Sequence, residues 1–177
     1  MRKLIVAIIV LIALAPFSTS IPCFKLGLEG LAKVLSLTQS LPSFIVWVAV
    51  LSLVRRRQWK LIVLEALVLN LAVLILKEAF MRPRPPGSTA FSFGYPSGHS
   101  ARALWVALHL SEVYPSFKPL FLIYALLVGW SRIELCQHYP IDIIGGYLVA
   151  YSVLEGSRLI RRKGEGKGVA NEGNRNR

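Results

Sequence analysis

Long apolar runs, broken by short basic clusters, are what most restrict the fold of this chain. Residues 4–20, 37–54, 60–79, 99–114, 118–135 and 139–160 are rich in Leu, Ile, Val and Ala and carry few charges. Roughly 20 such residues in a helix cross a hydrocarbon core. Backbone groups in lipid must satisfy their own hydrogen bonds, which helices do. The expected fold class is all-α, a polytopic membrane protein built as a six-transmembrane-helix bundle over residues 1–163. A length of 177 residues suits one domain. The formal charge of +12 does not signal nucleic acid, because Lys and Arg sit in clusters at the ends of the apolar runs. The bilayer is the expected partner, and nucleic acid is not. Every run is near the lower length limit for a span, so groups at helix ends should lie near an interface. Glu65, Asn70, His109 and Glu112 interrupt two runs, and such groups normally face other helices.

The first run, MRKLIVAIIVLIALA, also has the basic start and small-residue end of a cleaved signal peptide. Pro16 follows at once and apolar character resumes at Phe17 and Ile21, so a retained helix is expected. Residues 22–36 are loosely amphipathic and fit either an interfacial helix or a plain loop. Residues 164–177, rich in Gly and Asn, read as a disordered basic tail.

Placing the N-terminus inside puts fourteen of the 21 Lys and Arg residues on the cytoplasmic side. The outer side keeps Lys25, Lys33, Lys77, Arg82, Arg84, Arg102 and Arg132. The bias favours both termini in the cytoplasm. It also leaves an outer cluster of cations that needs a reason.

Three polar segments emerge on that outer face: KEAFMRPRP, PSGH and SRIELCQHYPID. Lys77, Arg84 and Arg132 offer three cations, and arginine forks match phosphate oxygens. Ser97 and Gly98 open a helix whose first N–H groups can hold an anion. His99 and His138 titrate near neutral pH. Asp142, four residues after His138, can accept from one ring nitrogen and leave the other free to attack. Each residue has an ordinary role as well: an anchoring lysine, a turn histidine, a helix-capping aspartate. Their joint spacing points to a phosphate site.

Lys77-x6-Arg84-Pro85, Pro96-Ser97-Gly98-His99 and Ser131-Arg132-x5-His138-x3-Asp142 together resemble the three-part signature of the type 2 phosphatidic acid phosphatase superfamily. All three parts match without gap or substitution, across residues 77–142. The resemblance implies a membrane-embedded phosphoric ester hydrolase that needs no metal or other cofactor, with its site near the outer, periplasmic face. It implies His138 as nucleophile, His99 as general acid and Asp142 as the partner of His138. Lys77, Arg84, Ser97, Gly98 and Arg132 would hold the phosphate of a phospholipid or glycolipid.

Two other readings compete. A vanadium haloperoxidase shares the signature but not the transmembrane character, and a lipid-binding or scrambling protein has no need of two histidines. Among substrates, Arg82 and Arg102 are extra cations and possible head-group contacts. They would favour a lipid with more than one phosphate, lipid A 1-phosphate first and undecaprenyl diphosphate or phosphatidylglycerol phosphate next. The same topology puts Cys23 and Cys136 on one face, as a disulfide or as two free thiols.

Overall fold

The computed structural model describes residues 1–15 and 25–175, with side chains through Arg162. In chain order the α-helices among them are α1 (Arg2–Leu14), α2 (Glu29–Leu37), α3 (Leu41–Val54), α4 (Trp59–Phe80), α5 (Gly98–Val113), α6 (Lys118–Glu134) and α7 (Pro140–Arg175). The described residues contain no strand.

Outward faces are apolar. Ile45 and Val46 on α3 are each 63% exposed, and Leu67 on α4 and Leu126 on α6 are similarly bare. Helices that stay hydrophobic on the side turned away from the core belong in lipid. By length and composition, residues 56–80, 115–134 and 140–162 can cross a membrane, and α2 with α3, bent by 50°, makes a fourth candidate. Against the six spans expected, the described residues hold three candidates, or four with the bent pair. Within the described residues α1 has 13 residues and α5 has 16.

The reason α5 falls short lies in its surroundings. It is packed by α3, α4, α6 and α7, and Ser100, Trp105, His109 and Ser111 on it are buried. A helix walled in by protein meets little lipid, so its sequence need not be uniformly apolar. Trp105 meets the Phe44 ring edge-on at 5.3 Å and joins Leu51, Ile62, Leu69 and Leu154 in the core.

The segment expected as helix or loop before residue 37 is a helix from Glu29 onward. Glu134, fully buried at the end of α6, fixes its approach by accepting from the N–H groups of Leu26 at 2.8 Å and Leu28 at 2.9 Å. Helix α7 runs on to Arg175. No proline follows Pro140 to stop it, so the backbone ladder continues. Residues 16–24, which hold Cys23, Pro16 and the end of the first expected run, lie outside the described residues.

Helices α3 to α7 alternate in direction, so the ends of α4 and α6 and the starts of α5 and α7 meet at one end of the bundle. At the opposite end a polar network ties α3, α4, α5 and α7 together. His109 bonds Glu65 Oε2 through Nε2 at 2.8 Å and meets Arg55 through Nδ1 at 2.8 Å. Arginine can only donate, so Nδ1 accepts and Nε2 carries the proton that Glu65 receives. Ser157 on α7 donates to Glu65, and Arg158 joins Arg55 on Glu112. The polar residues that interrupt the apolar runs therefore face protein, as their place in the sequence suggested.

Candidate active site

Four helix termini build the site, and local rules explain each. Helix α4 stops in a left-handed residue, Met81 at φ 46°, whose N–H bonds the Lys77 carbonyl; Pro83 follows and cannot continue the helix. Lys77 is left in the last turn, pointing its ammonium at the Phe93 carbonyl. Helix α5 starts with Ser97 as its N-cap, the Oγ accepting from the Ser100 N–H at 3.4 Å and from the Ser100 hydroxyl at 3.0 Å. The N–H groups of Gly98 and His99 then have no carbonyl one turn earlier in the helix.

Helix α6 ends in a Schellman motif. The Cys136 N–H bonds the Ile133 carbonyl at 2.9 Å, and the Gln137 N–H bonds the Arg132 carbonyl at 2.9 Å. Cys136 takes the left-handed position at φ 52°, usually a glycine's place, and turns the chain so that His138 points back into the bundle. Cys136 is disulfide-bonded. Cys23, the sequence's other cysteine, lies outside the described residues.

Helix α7 opens with Pro140 at its first position, and Asp142 reaches back to accept from the Tyr139 N–H at 2.8 Å. That is half of a capping box. The ordinary role of Asp142 as a helix-start residue is therefore real, and it coexists with a second one. The same Oδ2 lies 3.4 Å from His138 Nδ1. The two starts are docked by the Ser97 N–H, which bonds the Asp142 carbonyl at 2.9 Å. Close approach there depends on Gly146, where a Cβ would lie 2.4 Å from the Ser97 carbonyl oxygen. Its neighbour Gly145 likewise makes room for the Tyr95 ring.

His138 is buried, and Arg84 decides its tautomer. The Arg84 Nη1 lies 3.2 Å from His138 Nε2 and donates to the Gln137 carbonyl at 2.7 Å. Guanidinium N–H groups donate only, so Nε2 presents its lone pair and Nδ1 carries the proton, facing Asp142. Arg84 is itself held by Ser92, through the carbonyl at 2.6 Å and the hydroxyl at 2.9 Å. Burial lowers the His138 pKa well below its ordinary 6.5, and the charges of Arg84, Lys77 and Arg132 lower it further. The ring is neutral at physiological pH.

The residues singled out in the sequence come together here. Lys77, Arg84 and Arg132 all act on His138, and His99, on the first turn of α5, feels Arg132, Arg102, His138 and Arg84. Arg132 is buried and donates to the Ser36 hydroxyl of α2, with its Nε unpartnered. Gly98 would tolerate a Cβ within the protein's own packing, its nearest contacts being Val73 at 3.5 Å and Arg102 at 3.7 Å.

The structure places the two extra cations differently from each other. Arg82 is only 5% exposed and faces Asp142 Oδ1 at 3.3 Å, with the Tyr95 and Tyr139 rings beside it. It is therefore not a head-group contact at the surface. Arg102 donates to Asn70 Oδ1 at 3.2 Å and lies over Phe44. Sequence reasoning saw Arg82 but not this role, and it passed over Ser92, Gln137 and Glu134. The signal available for Glu134 was an acid two residues after Arg132 in an otherwise cationic segment.

A family model described as the PAP2 superfamily matches residues 58–163, which is more than half of the chain. The chain belongs to the PAP2 superfamily. Among solved structures, the PAP2-type phosphatidylglycerolphosphate phosphatase of Bacillus subtilis superimposes with a TM-score of 0.70 at 23% identity, covering 92% of this chain and 98% of that one. Aquifex aeolicus LpxE gives 0.62 at 21% identity, covering 83% and 92%. At these identities they establish a shared PAP2 membrane-phosphatase fold. Among curated relatives, the inositol phosphorylceramide synthase catalytic subunit AUR1 of Saccharomyces cerevisiae is 36% identical over 74 residues, 38% of this chain and 18% of that protein. The Candida albicans inositol phosphorylceramide synthase is 35% identical over 69 residues, 15% of its length. The chain thus spans less than a fifth of the length of these synthases.

Proposed function

We propose that this protein is an integral membrane lipid phosphatase that removes a phosphate from a lipid head group through a phosphohistidine on His138. The observation that carries the reading is the state of that ring: Nε2 meets Arg84 at 3.2 Å with its lone pair, and Nδ1–H faces Asp142. In this mechanism the Nε2 lone pair attacks phosphorus and the bond to the lipid oxygen breaks. His99, left neutral by burial and the surrounding cations, takes up a proton as the phosphate dianion enters beside it and gives that proton to the lipid oxygen. Water then attacks phosphorus, the P–N bond returns its electrons to Nε2, and His99 takes the proton from water. Lys77, Arg84, Arg132 and the first N–H groups of α5 stabilise the equatorial oxygens, usually the largest catalytic contribution.

Two features suit a lipid with an anionic head. An apolar groove of about 270 Å³ between α3 and α4, lined by Phe44, Ile45, Val48 and Val63, reaches Asn70 and so the Arg102 side chain. A polar cleft of about 440 Å³ is lined by Lys25, Lys33, Thr89, Gln137 and Arg132. Lys33 there and Arg102 beside the groove are the support for a lipid with more than one phosphate, since Lys25 is paired with Glu29. Lipid A 1-phosphate stays the leading substrate, with undecaprenyl diphosphate and phosphatidylglycerol phosphate next. The Lys and Arg distribution favours both termini in the cytoplasm and the site on the periplasmic side of the inner membrane.

The match to inositol phosphorylceramide synthases favours one other reading, in which a lipid hydroxyl takes the place of water. Purified protein offered these phosphorylated lipids separately, each labelled in its terminal phosphate, decides between them. Hydrolysis predicts inorganic phosphate from at least one lipid. Label passing only into an added lipid alcohol would select the transferase, and no label leaving any lipid would refute both.

A further inference from the structure

We propose that Arg82 is a positioning residue, which holds Asp142 as a fixed carboxylate so that His138 keeps its proton on Nδ1 and its lone pair on Nε2. The proposal rests on His138 being the nucleophile. It gives Arg82 a place in a relay, Arg82 to Asp142 to His138, in which Arg82 touches no substrate.

The geometry divides the Asp142 carboxylate between two jobs. Oδ2 takes the Tyr139 N–H at 2.8 Å and faces His138 Nδ1 at 3.4 Å. Oδ1 is ion-paired with Arg82 Nη1 at 3.3 Å and accepts no hydrogen bond. Arg82 Nη1 and Nη2 are buried and donate no hydrogen bond, so the charge of Asp142 is what answers them. A buried charge without compensation is expensive, so each of these groups is the other's reason to be ionised. Tyr95 and Tyr139 stand with their rings 5.8 Å and 5.6 Å from the guanidinium carbon and close off alternative positions for it. The backbone reinforces the arrangement: the Gly94 N–H bonds the Arg82 carbonyl at 2.7 Å. A Cβ on Gly94 would lie 3.3 Å from Asp142 Oδ2.

Without the Arg82 charge, the buried pair of Asp142 and His138 would hold one more proton. If that proton reached Nε2, directly or because a protonated carboxylate made Nδ1 the acceptor and shifted the tautomer, the nucleophilic lone pair facing the phosphate would be lost. Two groups this close titrate as a unit, so the observable is the proton uptake of the pair. The other charged groups facing the pair are Lys77 from α4, Arg84 from the following segment, His99 from α5 and Arg132 from α6. None of them contacts Asp142 Oδ1 within ion-pair distance. Arg82 is the group whose removal changes that oxygen.

The test is an NMR titration of histidine-labelled protein in detergent micelles, run beside the pH dependence of kcat/KM. In Arg82→Met the His138 transition should move to higher pH by about one unit or more, as loss of a close opposite charge does. The acid limb of kcat/KM should move with it while KM at high pH stays near the wild-type value. Arg82→Lys should restore the transition, because it returns the charge. If Arg82→Met does not fold, Arg82→Gln removes the charge with a smaller change in shape and carries the same test. An unmoved His138 transition, or activity lost equally at every pH, would overturn the proposal and leave Arg82 as a packing element. Wild-type protein inactive on every lipid would instead refute the phosphatase reading, and the titration would still decide Arg82.

Discussion

At the scale of single residues, the account assigns His138 the covalent step, His99 the proton transfers and Asp142 the orientation of His138. His138→Ala should abolish turnover, while His99→Ala and Asp142→Ala should each cost at least about tenfold, acid–base groups being typically worth about 100- to 10,000-fold. Steady-state phosphate release measures this, and substantial activity in His138→Ala would contradict the assignment. Asp142 also caps α7, so Asp142→Ala should lower the thermal midpoint as well, whereas His138→Ala should leave that cap intact. The pH dependence has a definite sign. Burial first, and the Arg84, Lys77 and Arg132 charges next, disfavour the protonated ring and lower its pKa from 6.5. The reactive neutral form therefore persists as pH falls through 6.5 and is lost only further below. The acid limb of kcat/KM should lie under pH 6.5, and a limb centred at or above that value would count against a neutral buried nucleophile.

At the scale of elements, the site depends on how close the starts of α5 and α7 can come. Gly146→Ala would set a Cβ 2.4 Å from the Ser97 carbonyl oxygen, backbone that can yield only by moving the turn that carries His99. Overpacking of this kind costs about 1–3 kcal/mol, and a displacement of about 1 Å in a reacting group can cost roughly 100-fold in rate. The variant should lose both thermal stability and kcat, and Gly156→Ala, with nothing within 4 Å of its Cβ on the same helix, should lose neither. Equal behaviour of the two would contradict the close-docking account. The elements were unevenly legible in the sequence. The segments proposed to be catalytic could be read because Lys77, Arg84, His99, Arg132, His138 and Asp142 stand at helix ends whose spacing in the sequence puts them on one face. The relation of α5 to lipid could not, because its shielding comes from neighbours distant in sequence. The role of Arg82 was hidden for the same reason: proximity to Arg84 suggested the phosphate, and only the fold turns its side chain toward Asp142. Helix α2 was ambiguous because its anchor, Glu134, lies more than a hundred residues away.

At the scale of the whole molecule, lipid-facing α3, α4 and α6 enclose a core whose polar groups are divided between two ends. One end is a closed network through Glu65, His109, Arg55 and Glu112, and the other gathers cations around His138. In the proposed mechanism, concentrated positive charge at the second end takes the part that a magnesium clamp has in many phosphoryl-transfer enzymes. Activity should therefore survive EDTA, measured as phosphate release in detergent, and loss that magnesium restores would contradict the cation-clamp account. The central claim is that a phosphoryl group passes through His138. Rapid quench of the protein with terminally labelled lipid, followed by peptide mapping, tests this most directly. The account predicts acid-labile, base-stable label on the peptide containing His138, absent from His138→Ala and accumulating in no other peptide. Turnover on that lipid with no such label at any quench time, or label on a different residue, would contradict it.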